Sequence, residues 1–532
     1  MPTLANSVGN GRRLSGLLAL LVIAALLGGA GAGLALEGFR SGGELAGFDA
    51  YLRRVTAFTL WQAALSTLVS VLPAILFARA LHRHPNFFGR RFALALLAAP
   101  LALPAVVAAL GVLALWGRAG LLAPVLASLG DGAWPGVYGL SGILLAHAFF
   151  NLPLAARFLL AALDTVPADQ WRLARQLGLS PLQTFRLVEW PALRRALPGV
   201  GALVFMLCLT SFTIVLMLGG GPAATTLEVA IYQALRFDFD PLRAAQLTFL
   251  QVALAGGFAL LLARLGVAAA GEAAPSVSRR QLGAIGPGET ALNALILLLG
   301  LGFVAGPLLA VARAGLAADL LRLFWEDPVR QAAATSLVLA FVSAVLATIL
   351  ALALASGGAR RGGRLGMRGT GAALVLAVPP VVIGAGWFLL LRPRSAAVLG
   401  PAFLVASVNA LMALPFAARA VQPAWEAAAS RHDRLCRSLG LRGWNRWRIV
   451  DWPVLRRPLL MALSFSAALS LGDLGAIALW GSDRFQTLPF LLLSRMGSYR
   501  TADAAGLALI LGAACLALVL LSDQLGRRDA EA

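Results

Sequence analysis

Apolar runs near the ~20 residues that carry a helix across a bilayer core recur twelve times along this chain. They fall at 14–36, 57–81, 92–117, 139–162, 197–218, 243–268, 290–312, 333–356, 369–391, 400–421, 458–480 and 502–522. Runs this long, without alternation, exclude an outer-membrane barrel, whose strands are about 10 residues and alternate in polarity. A hydrophobic share of 59%, a charged share of 13% and a mean hydropathy of +0.82 agree, since soluble chains carry about a quarter charged residues. The expected fold class is an all-α polytopic membrane protein of about twelve transmembrane helices.

The net charge of +20 comes entirely from arginine, because lysine is absent. The arginines cluster at helix ends, chiefly after the second, fourth, sixth, eighth and tenth runs, on the same side as Arg12-Arg13 and Arg527-Arg528. The positive-inside rule assigns that side, and with it both termini, to the cytoplasm. The charge therefore reports orientation in a cell inner membrane and not a nucleic-acid partner. Arg12-Arg13 ahead of Leu14–Leu36 reads as a first membrane anchor, since many further spans follow it. Cys208 and Cys515 lie in apolar runs and Cys436 in a cytoplasmic segment, so no disulfide framework is expected. His82 and His84 have no partners at ligand spacing, so no metal site is expected.

The chain is a duplication. Arg172-Leu173-Ala174-Arg175-Gln176-Leu177-Gly178-Leu179 is echoed by Arg434-Leu435-Cys436-Arg437-Ser438-Leu439-Gly440-Leu441, and each copy is followed by Trp-Pro-x-Leu-Arg-Arg. Gly178 pairs with Gly440 and Pro191 with Pro453, both at a separation of 262 (440 − 178, 453 − 191). Leu103-Pro104-Ala105-Val106-Val107 resembles Val378-Pro379-Pro380-Val381-Val382 at 275 (378 − 103), so the first half carries about 13 extra residues, assigned to the outer loop 118–138. The two copies keep the same parity of spans, which makes the repeat parallel, with both polar modules on one face. The expected organisation is an anchor helix and outer loop (1–56), a first core repeat (57–268), a Pro-, Gly- and Ser-rich linker (269–289), a seventh helix with its outer loop (290–330), and a second core repeat (331–525).

In the first polar module, Ala168 to Leu177 predicts a short helix with Trp171, Leu173, Ala174 and Leu177 on one stripe. Gly178 ends it in a left-handed conformation, and Ser180-Pro181 begins a second short helix. The second module predicts the same pair of helices with Gly440 and Gly443. A lipid-facing basic loop needs charge but no fixed Gly-to-Pro distance, whereas a protein-docking surface needs both, and two equivalent surfaces imply a two-fold partner.

These modules resemble the coupling loop of binding-protein-dependent ABC importer permeases. Phe149-Phe150-Asn151-Leu152-Pro153, Gly219-Gly220-Gly221-Pro222 with Thr225 to Ala234, and Leu488-Pro489-Phe490 with Met496 to Arg500 resemble the fused permease of the thiamine and thiamine pyrophosphate importer. The resemblance implies two tandem six-helix type I repeats. It also implies a non-enzymatic transport subunit that binds no cofactor, two copies of a separate ATPase that supplies ATP, and a periplasmic thiamine-binding protein. It further implies docking through Arg172, Ala174, Leu177, Gly178 and Pro191 in the first loop, and through Arg434, Cys436, Leu439, Gly440 and Pro453 in the second. Both copies lack the Glu-Ala-Ala opening usual in the family, having Arg172-Leu173-Ala174 and Arg434-Leu435-Cys436. With no lysine, the chain cannot supply a phosphate-binding Gly-Lys-Ser/Thr loop of its own.

Asp473 is a carboxylate in an apolar span and reads either as a contact for a cationic cargo, with Ser211 (473 − 262), Phe212 and Trp387 along the same pathway, or as a cap on a helix break between Gly472 and Gly475. Gln62 and Gln331 either line the pathway or bond between helices. Glu189 and Asp451 read as neutralising partners for nearby arginines. A ferric-iron or other small-solute permease of the same fold, and a twelve-span secondary transporter, are the alternative functions.

Overall fold

A computed structural model of the chain describes residues 3–40, 49–129, 134–264, 286–357, 378–391, 400–441 and 443–530. Ten helices in it are long and apolar enough to cross a membrane, and a bent pair, Arg90–Ala102 with Ala105–Trp116, brings the number to eleven among the described residues. That pair was expected as one straight span. It turns by 114° because Pro104 forces Leu103 into an extended conformation (φ −93°, ψ 141°) and donates no N–H of its own. The expected span 369–391 is described only from residue 378, as the short apolar helix Pro380–Leu391. Most of the linker lies outside the described residues, and its last expected residues belong instead to the first turn of Pro287–Leu316.

The duplication read from the sequence is repeated by the structure in most of its helices. Helices Trp190–Leu209 and Trp452–Leu471 start 262 residues apart (452 − 190), as do the short helices Thr213–Leu218 and Gly475–Trp480 beyond them. A π-helical turn leads into each long helix, Phe185–Glu189 and Trp447–Asp451, again 262 apart (447 − 185). Phe239 and Tyr499, the non-glycine residues with positive φ among those described, occupy equivalent turns ahead of the last helix of each half. Each half packs Ala50–Arg83 or Asp327–Gly357 against Leu140–Asp164 or Pro401–Ser438, with Trp190–Leu209 or Trp452–Leu471 as the third member.

The first helix of each half packs mainly on the other half. Thr3–Arg40 packs on Pro380–Leu391 and Asp327–Gly357 and less on Pro241–Arg264, while Pro287–Leu316 packs on Ala105–Trp116 and Ala50–Arg83 and also on Thr501–Ala530 of its own half. Glycine makes both crossings possible: a Cβ on Gly386 would lie 2.3 Å from the Ala30 carbonyl oxygen, and one on Gly111 would lie 2.7 Å from that of Pro307. These two glycines are equivalent at the outer register of 275 (386 − 111). Lipid supplies no hydrophobic drive between helices, so close backbone approach at small residues is what holds such crossings. The largest buried apolar cluster accordingly draws on both halves, from Ala19 and Ile23 through Ile214 and Leu227 to Ile383 and Ile477. Asp49 fixes one loop end of the bundle by accepting from the Leu52 N–H and pairing with Arg243, each at 2.7 Å, and those bonds hold its carboxyl below the usual range.

Candidate functional site

The first polar module is built on Ala168–Gln176. Pro167 starts the helix, and Trp171 and Ala174 turn inward against Val166 and Val188. The chain leaves through Gly178 at φ +61°, whose counterpart Gly440 sits at +66°. Nothing lies within 4 Å of a Cβ built on either glycine, so the requirement there is backbone conformation and not space. Ser180 then closes a capping box with Gln183, and Pro191 falls in the first turn of Trp190–Leu209.

The expected single stripe is corrected. Trp171 is 2% exposed, but Leu173 and Leu177 stand out at 54% and 66%. At about 100° per residue, 173 and 177 share a face lying well over 100° from 171. The second module repeats the arrangement: Cys436 is buried like Ala174, and Leu435 and Leu439 are exposed like Leu173 and Leu177. Leu182 and Trp444, Leu187 and Ile449, and Trp190 and Trp452 continue the pattern, each exposed and each 262 apart (444 − 182, 449 − 187, 452 − 190). Five apolar positions are thus turned outward twice, which a merely solvated loop has no reason to do.

The second module was expected to open with a separate short helix. Instead Pro401–Ser438 runs on without the break that divides Leu140–Asp164 from Ala168–Gln176. The residue matching Pro167 is Ala429 (429 − 262), and alanine continues a helix where proline interrupts it.

The carboxylates near the loops are spent internally. Glu189 is fully buried and accepts from Nε of Arg79 and Nε of Arg83, each at 2.7 Å, while Arg79 also reaches Glu289 at 2.9 Å. The Arg83 guanidinium lies 5.3 Å over the Trp171 ring, and His82 stacks on the same ring while bonding Asp164 at 3.0 Å. The end of Ala50–Arg83 therefore clamps the Ala168–Gln176 helix from inside. In the second module Arg446 bonds Asp433 at 2.5 Å and Asp451 at 3.2 Å. Arg172 pairs with Asp169 at 2.6 Å on the exposed face, and Arg434 is exposed.

In the membrane-embedded part, Ser211 and Phe212 form the break between Trp190–Leu209 and Thr213–Leu218, and Phe212 packs edge-on to Tyr232 at 5.5 Å. Asp473 occupies the equivalent break, where its oxygens accept from the N–H groups of Gly475 (3.3 Å) and Ala476 (3.1 Å). Trp387 donates its indole N–H to the Leu26 carbonyl at 2.9 Å, against the first helix. The four residues grouped for a pathway are thus distributed over two breaks and one helix crossing. Asp473→Ala is expected to lower stability by about 1 kcal/mol through the lost cap, with Asn restoring it; thermal unfolding together with transport checks this, and uptake crippled by Asn at unchanged stability would assign the carboxylate to cargo instead.

Gln62 donates to the Cys208 carbonyl at 2.9 Å, and His147 meets Ser66 at 2.8 Å, so both bond between helices, while Gln331 is exposed. The three cysteines are free and buried. Sequence reasoning passed over Glu228, a fully buried acid that meets Gln251 at 3.0 Å. Its signal was the carboxylate itself inside an otherwise apolar Leu-x-Val-Ala-Ile stretch.

A doubled bundle of membrane-spanning helices with swapped first helices and paired outward-facing loops defines a transport permease. Residues 70–269 match the family described as the binding-protein-dependent transport system inner membrane component. The thiamine transport system permease protein ThiP of Brucella abortus (strain 2308) is 53% identical over 97% of this chain and 96% of its own length. ThiP of Escherichia coli (strain K12) is 43% identical, and that of Haemophilus influenzae 38%, each over 90% of both chains. The chain belongs to this family of thiamine transport system permeases: it is a multi-pass inner-membrane transport subunit, not an enzyme.

Proposed function

We propose that this chain forms the membrane path of an ATP-driven importer that moves thiamine from periplasm to cytoplasm by alternating access of its two halves. The observation that carries the cargo is likeness along nearly the whole chain, 53% over 97%, to permeases named for thiamine transport. Phosphate esters of thiamine are carried by the same reading. The 31% of the chain that is 30% identical to a probable sulfate permease gives the fold no comparable claim on another solute.

Two copies of a separate ATPase dock on the paired loops, one against Arg172, Ala174, Leu177, Gly178 and Pro191 and the other against Arg434, Cys436, Leu439, Gly440 and Pro453. The doubled apolar surface supports a two-fold partner, and the arginine bias supports a cytoplasmic location for the loops and both termini. A periplasmic thiamine-binding protein delivers cargo to the opposite face. The swapped first helices support the division into anchor (1–56), first core (57–268), linker (269–289), seventh helix (290–330) and second core (331–525), because closing either core draws on a helix from the other half.

In proteoliposomes holding the permease, its ATPase and its binding protein, thiamine is expected to accumulate only with ATP, and ferric iron not at all. Iron uptake without thiamine uptake would transfer the chain to the ferric-iron reading, and thiamine uptake without the ATPase would make it a secondary transporter.

A further inference from the structure

Glu228 lies near the start of Leu227–Arg236, about 12 Å along that helix from its loop end at Arg236. It is 0% exposed and belongs to none of the ion pairs among the described residues. Oε1 accepts from Gln251 Nε2 at 3.0 Å, and the same amide reaches the Leu209 carbonyl at 3.3 Å. On the other side Gln62 Nε2 donates to the carbonyls of Cys208 (2.9 Å) and Thr59 (3.2 Å), and Thr59 Oγ1 accepts from the Leu227 N–H at 3.0 Å. Since Cys208 adjoins Leu209 and Leu227 adjoins Glu228, the bonds close a ring around the end of Trp190–Leu209.

Three side-chain oxygens of this ring, Glu228 Oε2, Gln251 Oε1 and Gln62 Oε1, are buried without a hydrogen-bond partner, and so is Oγ1 of the adjoining Thr226. A buried carboxyl without a charged partner can ionise only when a cation comes to lie beside it, and in a membrane such a group marks function. The two glutamine oxygens accept only, as does Glu228 Oε2 once ionised, which suits a positively charged or hydrogen-donating guest.

The fold does not require it. In the second half the equivalent N–H, on Leu488 (488 − 227 = 261), is held by Ser336 Oγ at 2.8 Å, as Thr59 holds Leu227. There Glu228 is matched by Pro489 (489 − 228 = 261), Gln62 by Leu339 (62 + 277, the Thr59 to Ser336 offset) and Gln251 by Leu511 (251 + 260, the offset from Phe239 to Tyr499). The backbone support is kept and the carboxylate is not. Leu227–Arg236 also touches Pro380–Leu391 and Gly475–Trp480 of the other half, so it lies on the boundary that alternating access must open. Tyr232, one turn beyond Glu228 on the same face, packs on Phe212 and brings an aromatic wall beside the acid.

We propose that Glu228, supported by Gln251, Gln62 and Thr226 and walled by Tyr232 and Phe212, is the site that balances the positive charge of the cargo as it crosses. The proposal rests on the thiamine reading, since the thiazolium ring is a permanent cation that a carboxylate and aromatic faces recognise together. It makes the cargo site asymmetric, carried by the first half.

Glu228→Gln tests this in the full importer, because glutamine keeps the shape and the acceptor for Gln251 while removing the charge. Thiamine uptake is expected to fall at least about tenfold, with co-purification of the ATPase and the permease's melting temperature as the folding controls, and Glu228→Asp is expected to recover part of the uptake. Wild-type uptake by the glutamine variant overturns the proposal but leaves the thiamine reading standing; a wild-type complex that takes up no thiamine overturns both. A pH-sensitive dye sealed inside the vesicles provides a second arm, since a proton carried with each thiamine would reassign the acid to proton movement and overturn the proposal. If Glu228→Gln fails to assemble, direct binding to the wild-type permease–ATPase complex decides: thiamine is expected to bind at least tenfold tighter than an analogue with a neutral thiophene in place of thiazolium, and equal affinities overturn it.

Discussion

Aspartate at Leu177 and Leu439 together is expected to abolish capture of the ATPase while leaving the permease folded. The two side chains are 66% and 64% exposed, so the variant removes little internal contact and should hold its stability within about 0.5 kcal/mol per site. At a protein interface the same positions are apolar anchors, each worth about 2 kcal/mol or more when lost, and a carboxylate forced into the pocket adds its desolvation. Two anchors lost at once correspond to roughly a thousandfold in affinity. Co-purification of the ATPase and stimulation of its hydrolysis read the loss, and the melting temperature of the permease serves as the control. Trp171→Ala should behave in the opposite sense, lowering the melting temperature because that ring fills the inside of the loop under Arg83 and His82. Undiminished capture by the double aspartate variant would remove these loops from the interface.

The expectation extends to the glycines. Gly178 and Gly440 hold φ near +60°, whereas proline is confined near −65°, so Gly178→Pro and Gly440→Pro cannot keep the turn that aims Leu177 and Leu439 outward.

Much of this was legible in the sequence because membrane helices leave long apolar runs and because a duplication prints its own register. The separation of 262 carried over to helix starts, to the π-helical turns and to the breaks at 210–212 and 472–474. Local signals succeeded where the cause was local: Gly178 and Gly440 ended helices, and Ser180-Pro181 capped the next one. They failed where the cause lay elsewhere in the chain. The exchange of first helices between halves depends on glycines whose partners are about 200 residues or more away, an arrangement no window of sequence contains; the 114° bend, by contrast, has its cause in Pro104, a local signal inside an apolar run. Pro167 against Ala429 was visible as a difference, yet the sameness of the flanking motifs argued for two identical modules. For the cargo site the candidate was Asp473, which stood out inside a long apolar span and was read as a cargo contact or as a cap; its bonds to two backbone N–H groups are those of the cap reading. Glu228 sat in a short segment and could be distinguished only once Gln62, Gln251 and the end of Trp190–Leu209 had been brought around it.

The second large effect is expected at Glu189. This carboxylate is fully buried and is the shared partner of Arg79 and Arg83, themselves mostly buried at the end of Ala50–Arg83. Glu189→Ala leaves Arg83 with only Glu289 at 4.0 Å and the face of Trp171, while Arg79 retains Glu289 at 2.9 Å. Removing one member of a buried ion pair costs about 3–5 kcal/mol, because the other charge stays behind without water. The equivalent change in the second module, Asp451→Ala, should cost less, about 1–2 kcal/mol, since Arg446 keeps its bond to Asp433. The two halves therefore differ in tolerance although their sequences match in register, and the weaker half is the one whose loop helix, Ala168–Gln176, is a separate piece held by that clamp. Thermal unfolding of the purified permease measures both, with loss of ATPase capture expected to accompany Glu189→Ala and not Asp451→Ala. Equal losses from the two variants would mean that the Arg79 and Arg83 clamp does not position the first loop.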